Sequence, residues 1–139
     1  MRGAVLVDTS ALVALFRPED EHHEAAKRAL AALQSDRRRM LSTTDIFDEV
    51  VTAIRRWMGY EKAVFAGEAL RGTELVRLAG VDDRLREAAW HRFKELKLPH
   101  LSLTDCTSFS VMDKYGIVEA FTFDSGFKKA GYKVLPDRG

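Results

Sequence analysis

Four acidic residues occupy positions from which an α/β fold can gather them. Asp8 follows the apolar run Ala4-Val5-Leu6-Val7, and Asp124 follows Glu119-Ala120-Phe121-Thr122-Phe123. Asp105 closes Ser102-Leu103-Thr104-Asp105, and Glu49 lies about one turn inside a helical pattern that begins near Thr43. In an open α/β sheet ligands bind beyond the carboxyl ends of the strands, so acids that end strands or open the following helices are the ones to weigh. Two carboxylates ~4 Å apart repel by ~4 kcal/mol at an effective dielectric of about 20, a cost that protonation or a bound cation must relieve. Clusters built only of oxygen select hard ions, here Mg2+ or Mn2+, and such an ion makes water easier to ionise beside an anionic substrate.

Taken singly, each acid has a plainer explanation. Asp8 reads equally well as a helix cap. Asp105 fits a capping box, Asp124 in Asp124-Ser125-Gly126 fits a turn, and Glu49 resembles any exposed helical Glu. Asp48 lies on the same turn as Glu49, and periodicity does not choose between them. Convergence carries the argument: all four fall where a single crevice would form.

Other reactive residues offer less. His22 and His23 sit in a polar, acidic helix start, while His91 and His100 are isolated, so these read as solvated or incidental. With no Cys at ligand spacing a zinc site is disfavoured. Cys106 opens an apolar stripe and reads as a buried, inert thiol. No G-x-x-x-x-G-K-[ST], G-x-G-x-x-G or G-x-S-x-G occurs, which removes the usual nucleotide-binding and serine-hydrolase readings. Arg37, Arg38, Arg39, Arg55 and Arg56 are candidate phosphate contacts, set against the commoner reading of solvated faces.

The elements that must position these residues alternate. A strand at Ala4–Val7 precedes a helix through Ala11, Leu12, Leu15 and Phe16 that stops at Pro18. A helix from Glu19 to about Gln34, a short strand at Met40 and Leu41, and a helix with the stripe Ile46, Val50, Ile54 follow, the last opened by the box Ser42-Thr43-Thr44-Asp45 and closed near Gly59. Then come a helix at Glu61–Arg71, a strand at Leu75–Val81, a helix at Asp82–Lys97, a helix from Ser102 to Gly116, and strands at Glu119–Phe123 and Tyr132–Leu135. This order predicts an α/β fold, a parallel or mostly parallel sheet covered by helices on both faces. At 139 residues, 46% of them hydrophobic, the chain closes one core and reads as a single domain over 1–139. The 22 basic residues against 21 acidic ones leave a net charge of +1, so nucleic-acid affinity has to come from local patches or bound cations. The lone cysteine, the absence of a basic flank with an apolar h-region, and the lack of a membrane-length apolar run predict a cytoplasmic protein with no membrane partner.

With these residues in hand, the chain resembles the PIN-domain family, and within it the VapC toxins of prokaryotic toxin–antitoxin pairs. Val5-Leu6-Val7-Asp8-Thr9-Ser10 is similar to the first PIN motif, and Thr44-Asp45-Ile46-Phe47-Asp48-Glu49 to the second, with its acid at Glu49. Leu103-Thr104-Asp105-Cys106-Thr107-Ser108 is similar to the third, and Thr122-Phe123-Asp124-Ser125-Gly126-Phe127 to the fourth. Four motifs in order, with an Ala-Gly-Tyr-Lys-Val-Leu-Pro ending, cover nearly the whole chain.

The resemblance implies a three-layer α/β/α fold with strand order 3-2-1-4-5, a homodimer, a cognate antitoxin, and Mg2+- or Mn2+-dependent cleavage of RNA to a 5′-phosphate and a 3′-hydroxyl. Asp8 and Asp105 are then the principal metal ligands, Glu49 and Asp124 act through water or a second ion, and Ser10 orients a ligand. The rivals are a phosphoacceptor receiver domain, which needs an acidic pair that Asp8 lacks, a catalytically idle PIN module, a housekeeping PIN nuclease of RNA processing, and a haloacid-dehalogenase phosphatase, whose D-x-D is missing at Asp8-Thr9-Ser10.

Overall fold

The computed structural model describes residues 3–137. Its centre is a three-residue strand, β1 (Val5–Val7), every side chain of which is buried, as an apolar run covered on both faces demands. Around it stand β2 (Met40–Thr43), β3 (Val76–Ala79), β4 (Glu119–Phe121) and β5 (Lys133–Leu135), all parallel in the order β3-β2-β1-β4-β5. Register places Val5 beside both Met40 and Glu119, and Val7 beside Phe121.

Seven helices connect the strands among the described residues: α1 (Thr9–Phe16), α2 (His23–Ser35), α3 (Thr44–Met58), α4 (Tyr60–Gly72), α5 (Asp83–Leu96), α6 (Leu103–Tyr115) and α7 (Ser125–Lys129). Right-handed crossovers running outward from β1 to β3 put α1 to α4 on one face, and the reversal from β3 back to β4 puts α5 to α7 on the other. Packing agrees: α1 lies against α2 and α3, α3 against α4, and α5 against α6. The reversal point is the gap between β1 and β4, where a crevice opens beyond the strand ends. One core joins the layers, with Phe109, Phe121, Phe127, Leu6, Leu41 and Ile46 fully buried.

Several boundaries differ from the sequence expectation, each for a local reason. The second helix starts at His23, not Glu19, because residues 18–22 turn and the Asp20 carboxylate accepts a hydrogen bond from the His22 amide at 2.8 Å. α3 is capped by Thr43 instead of Ser42: Thr43 Oγ1 accepts from the Ile46 amide at 3.0 Å, while the Ser42 hydroxyl donates to the Val7 carbonyl across the sheet. β4 ends at Phe121, before Thr122 and Phe123. The five residues of α7 are too few to show periodicity, and the sequence reading has no helix there.

Replacing Thr43 with Ala should remove a buried cap and cost about 1–2 kcal/mol. Urea denaturation checks this as a lower midpoint with an unchanged m-value.

Candidate active site

Asp8 holds the N-cap position of α1 yet makes no side-chain cap bond, so the plainer explanation of this residue fails. Its Oδ2 instead accepts from the hydroxyls of Thr122, at 2.8 Å, and Ser10, at 3.1 Å. Ser10 Oγ and Thr122 Oγ1 lie 3.2 Å apart, Ser10 Oγ accepts from the Phe123 amide, and Thr122 Oγ1 accepts from the Asp124 amide. These short hydroxyl side chains therefore lock the end of β4 to the end of β1. Asp105, by contrast, does serve in the predicted capping box: its Oδ2 accepts from the Ser102 amide while Ser102 Oγ accepts from the Asp105 amide. That cap still leaves Asp105 lining the pocket, because the box fixes the carboxylate at the first turn of α6. Asp124 caps α7 through Oδ1 and the Gly126 amide at 2.9 Å. Gly126 is needed there for close approach: a Cβ would meet Leu101 Cδ1 at 3.0 Å and Asp124 Oδ1 at 3.3 Å.

Asp8, Asp105 and Asp124 each present a carboxylate oxygen, and these oxygens lie within 4.8 Å of one another. Asp8 and Asp105 are buried. Burial, the largest effect, raises Asp8 to about 6 against the lowering influence of its hydroxyl partners, with the nearby Asp124 charge adding to the rise. Asp105 is raised to about 7, first by burial and then by the Asp8 charge.

Glu49 lies outside this trio but lines the same open pocket of about 340 Å3, where its Oε1 accepts from the Thr9 hydroxyl at 2.7 Å. The crowding of acids on α3 is resolved by direction. Asp45 is taken up by a two-bond pair with Arg86 on α5, and Asp48 lines a neighbouring depression, not the carboxylate pocket.

Some pocket residues escaped the sequence reading. His22 and His100, read there as solvated or incidental, both line the pocket. His22 stacks on Phe123 with centroids 4.3 Å apart and planes 4° from parallel, and His100 holds a left-handed φ of 64°. His23 is neither solvated nor in the site: its Nδ1 bonds to the Ala14 carbonyl at 2.6 Å and staples α2 to α1. Thr9, next to Asp8, and Thr122, two residues before Asp124, had no distinguishing signal beyond nearness to acids. Cys106 is fully buried, and burial pushes its thiol up, as an inert core residue requires.

The arginines divide. Arg37, Arg38 and Arg39 do not join the carboxylates: they precede β2 and sit at the amino ends of the strands, the opposite edge of the sheet, around a separate concavity of about 660 Å3 with Arg77 and Glu74. Arg38 is engaged there, bonding Glu119 at 2.8 Å and the Gly3 carbonyl. Arg55 lies over the Tyr60 ring, whereas Arg56 lines the depression that adjoins Glu49.

The donor set suits a hard divalent cation. Oxygens around a six-coordinate ion at ~2.1 Å stand about 3 to 4.2 Å apart, close to the spread of this trio, and among the described residues neither of the two buried acids with raised proton affinity forms an ion pair.

Comparison with known proteins identifies the family and the fold. The PIN domain matches residues 5–132. The "23S rRNA-specific endonuclease VapC20" of Mycobacterium tuberculosis, in strains CDC 1551 / Oshkosh and ATCC 25618 / H37Rv, is 35% identical over 134 residues, covering 96% of this chain and 99% of the relative. A crystal structure of M. tuberculosis VapC20, described as a sarcin-ricin loop cleaving toxin, superposes with a TM-score of 0.83 at 33% identity, over 93% of this chain and 96% of that one. VapBC2 from Rickettsia felis, solved with a DNA fragment from its promoter, shares the fold at a TM-score of 0.70 and 10% identity, over 94% of this chain and 96% of the other. The strand order expected from the resemblance is the one observed, and Asp8, Glu49, Asp105 and Asp124, with Asp20 beside them, line one pocket at the switch point of the sheet: the chain belongs to the PIN-domain family.

Proposed function

We propose that the whole chain, 1–139, works as a single PIN domain, a divalent-cation-dependent endoribonuclease that is the toxin of a VapBC-type pair. The observation that carries the chemistry is the trio of carboxylate oxygens from Asp8, Asp105 and Asp124 within 4.8 Å at the floor of an open pocket. The choice of RNA rests on the relative named as a 23S rRNA-specific endonuclease, and ribosomal RNA is accordingly the proposed substrate.

In this reading Asp8, Asp105 and Asp124 would hold Mg2+ or Mn2+, with Glu49 in support from the same pocket. When bound, the cation offsets the charge of the acids and the scissile phosphate and makes water easier to ionise. The protein's part is to hold atoms still. Ser10 and Thr122 fix the orientation of Asp8, the Ser102 box fixes Asp105, and Thr9 fixes Glu49, so that water meets the phosphorus in line and the cut leaves a 5′-phosphate and a 3′-hydroxyl.

A pocket of acids short of positive charge also suits a basic side chain, which supports an antitoxin whose tail enters the groove. The VapBC2 likeness supports such a partner as well. A homodimer and a cytoplasmic location, where ribosomal RNA lies, complete the proposal; no helix among the described residues is long and apolar enough to cross a membrane.

Incubating the protein with total RNA should yield discrete cuts, concentrated in the large ribosomal RNA, with Mg2+ or Mn2+ and none with EDTA. Intact RNA under every metal condition would leave only the idle-module reading.

A further inference from the structure

Three depressions meet along the carboxyl edge of the sheet. The carboxylate pocket shares Thr9 and Glu49 with a depression of about 420 Å3 on one side, and Asp124 with a depression of about 490 Å3 on the other. The outer two are where the cations are. Arg56 lines the first, and Lys128 with Lys129 line the second. All three side chains are exposed, and none forms an ion pair among the described residues. Helix geometry sets the spacing. Arg56 is seven residues beyond Glu49, two turns along α3 on the same face and about 10 Å away, and Lys128 is one turn, about 6 Å, beyond Asp124 on α7.

We infer that these depressions form one trough for an RNA strand, with Arg56 at one end and Lys128 and Lys129 at the other holding the phosphates that flank the scissile one. The inference rests on the nuclease reading and adds to it the path of the substrate. Electrostatics supply the reason for the arrangement. A net charge of +1 gives no global attraction, and the acidic floor repels phosphate until a cation binds, so the attraction that seats the strand has to come from fixed positive charge on either side of that floor. Positions that hold phosphates without touching the reacting atoms affect binding more than the chemical step.

The test is steady-state cleavage of a single-stranded RNA oligonucleotide with Mn2+ across about 50 to 200 mM salt. A combined Arg56→Ala, Lys128→Ala, Lys129→Ala variant should raise KM about tenfold or more, keep kcat within about threefold, and lower the slope of log KM against log salt by roughly 2, near 0.7 for each phosphate no longer held. Lys128→Arg with Lys129→Arg should keep wild-type KM. An Arg37→Ala, Arg39→Ala variant, altered at the other end of the sheet, should leave KM and slope unchanged. A triple variant with wild-type KM and salt slope, or a raised KM in the Arg37/Arg39 variant instead, overturns the path while leaving the nuclease intact. Absence of any cleavage by the wild type removes both.

Discussion

Asp105→Asn and Asp8→Asn are each expected to lower RNA cleavage at least about a thousandfold, equivalent to ~4 kcal/mol of lost transition-state stabilisation, in a protein that still folds. Asn keeps the shape and one acceptor oxygen of Asp, so the box from Asp105 to Ser102 and the bonds from Thr122 and Ser10 to Asp8 can persist. The negative charge is what disappears, and with it, on the proposed mechanism, the hold on a divalent cation beside the scissile phosphate. Asp45→Asn serves as the contrast: Asp45 spends both oxygens on Arg86, and its loss should leave cleavage within about threefold of wild type. Cleavage by Asp105→Asn at the wild-type rate with Mg2+ would sink the assignment of the trio.

The second large effect is on stability, and its sign follows from the raised acids. Asp8 at about 6 and Asp105 at about 7, against an ordinary 3.8, keep protons in the folded state that the unfolded chain has already released. Between about pH 4 and pH 7 the folded state therefore binds more protons, and the stability of the metal-free protein falls as pH rises through that window. Their contribution is complete below the window and gone above it. Each tenfold difference in proton affinity between folded and unfolded chain is worth about 1.4 kcal/mol, so the loss is on the order of a few kcal/mol.

Two consequences are measurable as melting temperatures in EDTA and in Mn2+ from mildly acid to mildly alkaline solution. In EDTA at about pH 8, well above the raised values, Asp105→Asn should melt several degrees above wild type, because it removes a charge that is costly to bury. Mn2+ at about a hundred times its dissociation constant should add ~2.7 kcal/mol to wild type and far less to the variant. A wild-type minus variant difference that is flat with pH and indifferent to Mn2+ would contradict the buried, cation-seeking cluster.

The same cluster shows how far local pattern reaches. An apolar run that stops at an acid made Asp8 visible as a strand end, and the box at Ser102 made Asp105 visible as the start of α6, because each signal is complete within a few residues; the run before Asp124 overshot, since β4 stops at Phe121 and Asp124 caps α7. The stripe Ile46, Val50, Ile54 likewise marks α3 and its buried face. Choosing among Asp45, Asp48 and Glu49 was beyond such signals, since all three share two turns of one helix and differ only in which neighbour each meets. Arg86 on α5 takes up Asp45, and the Thr9 hydroxyl on α1 holds Glu49. His22 and His100 looked incidental because their neighbours in the chain are polar, and the ring under His22 comes from Phe123, about a hundred positions away.

By itself the sequence determined every strand and the six longer helices, their alternation and the acids near their ends, all of which follow from backbone period and capping within one stretch of chain; only the short α7 escaped. Only the tertiary structure decided which ends become neighbours. Strand β4 pairs with β1 across 114 residues, and that pairing puts the Thr122 hydroxyl on Asp8 and Asp124 beside Asp105, while the same strand order carries Arg37, Arg38 and Arg39 to the far edge. Strand pairing over such separations is won by burying apolar faces of the whole sheet at once, a cooperative choice that no local window of residues contains.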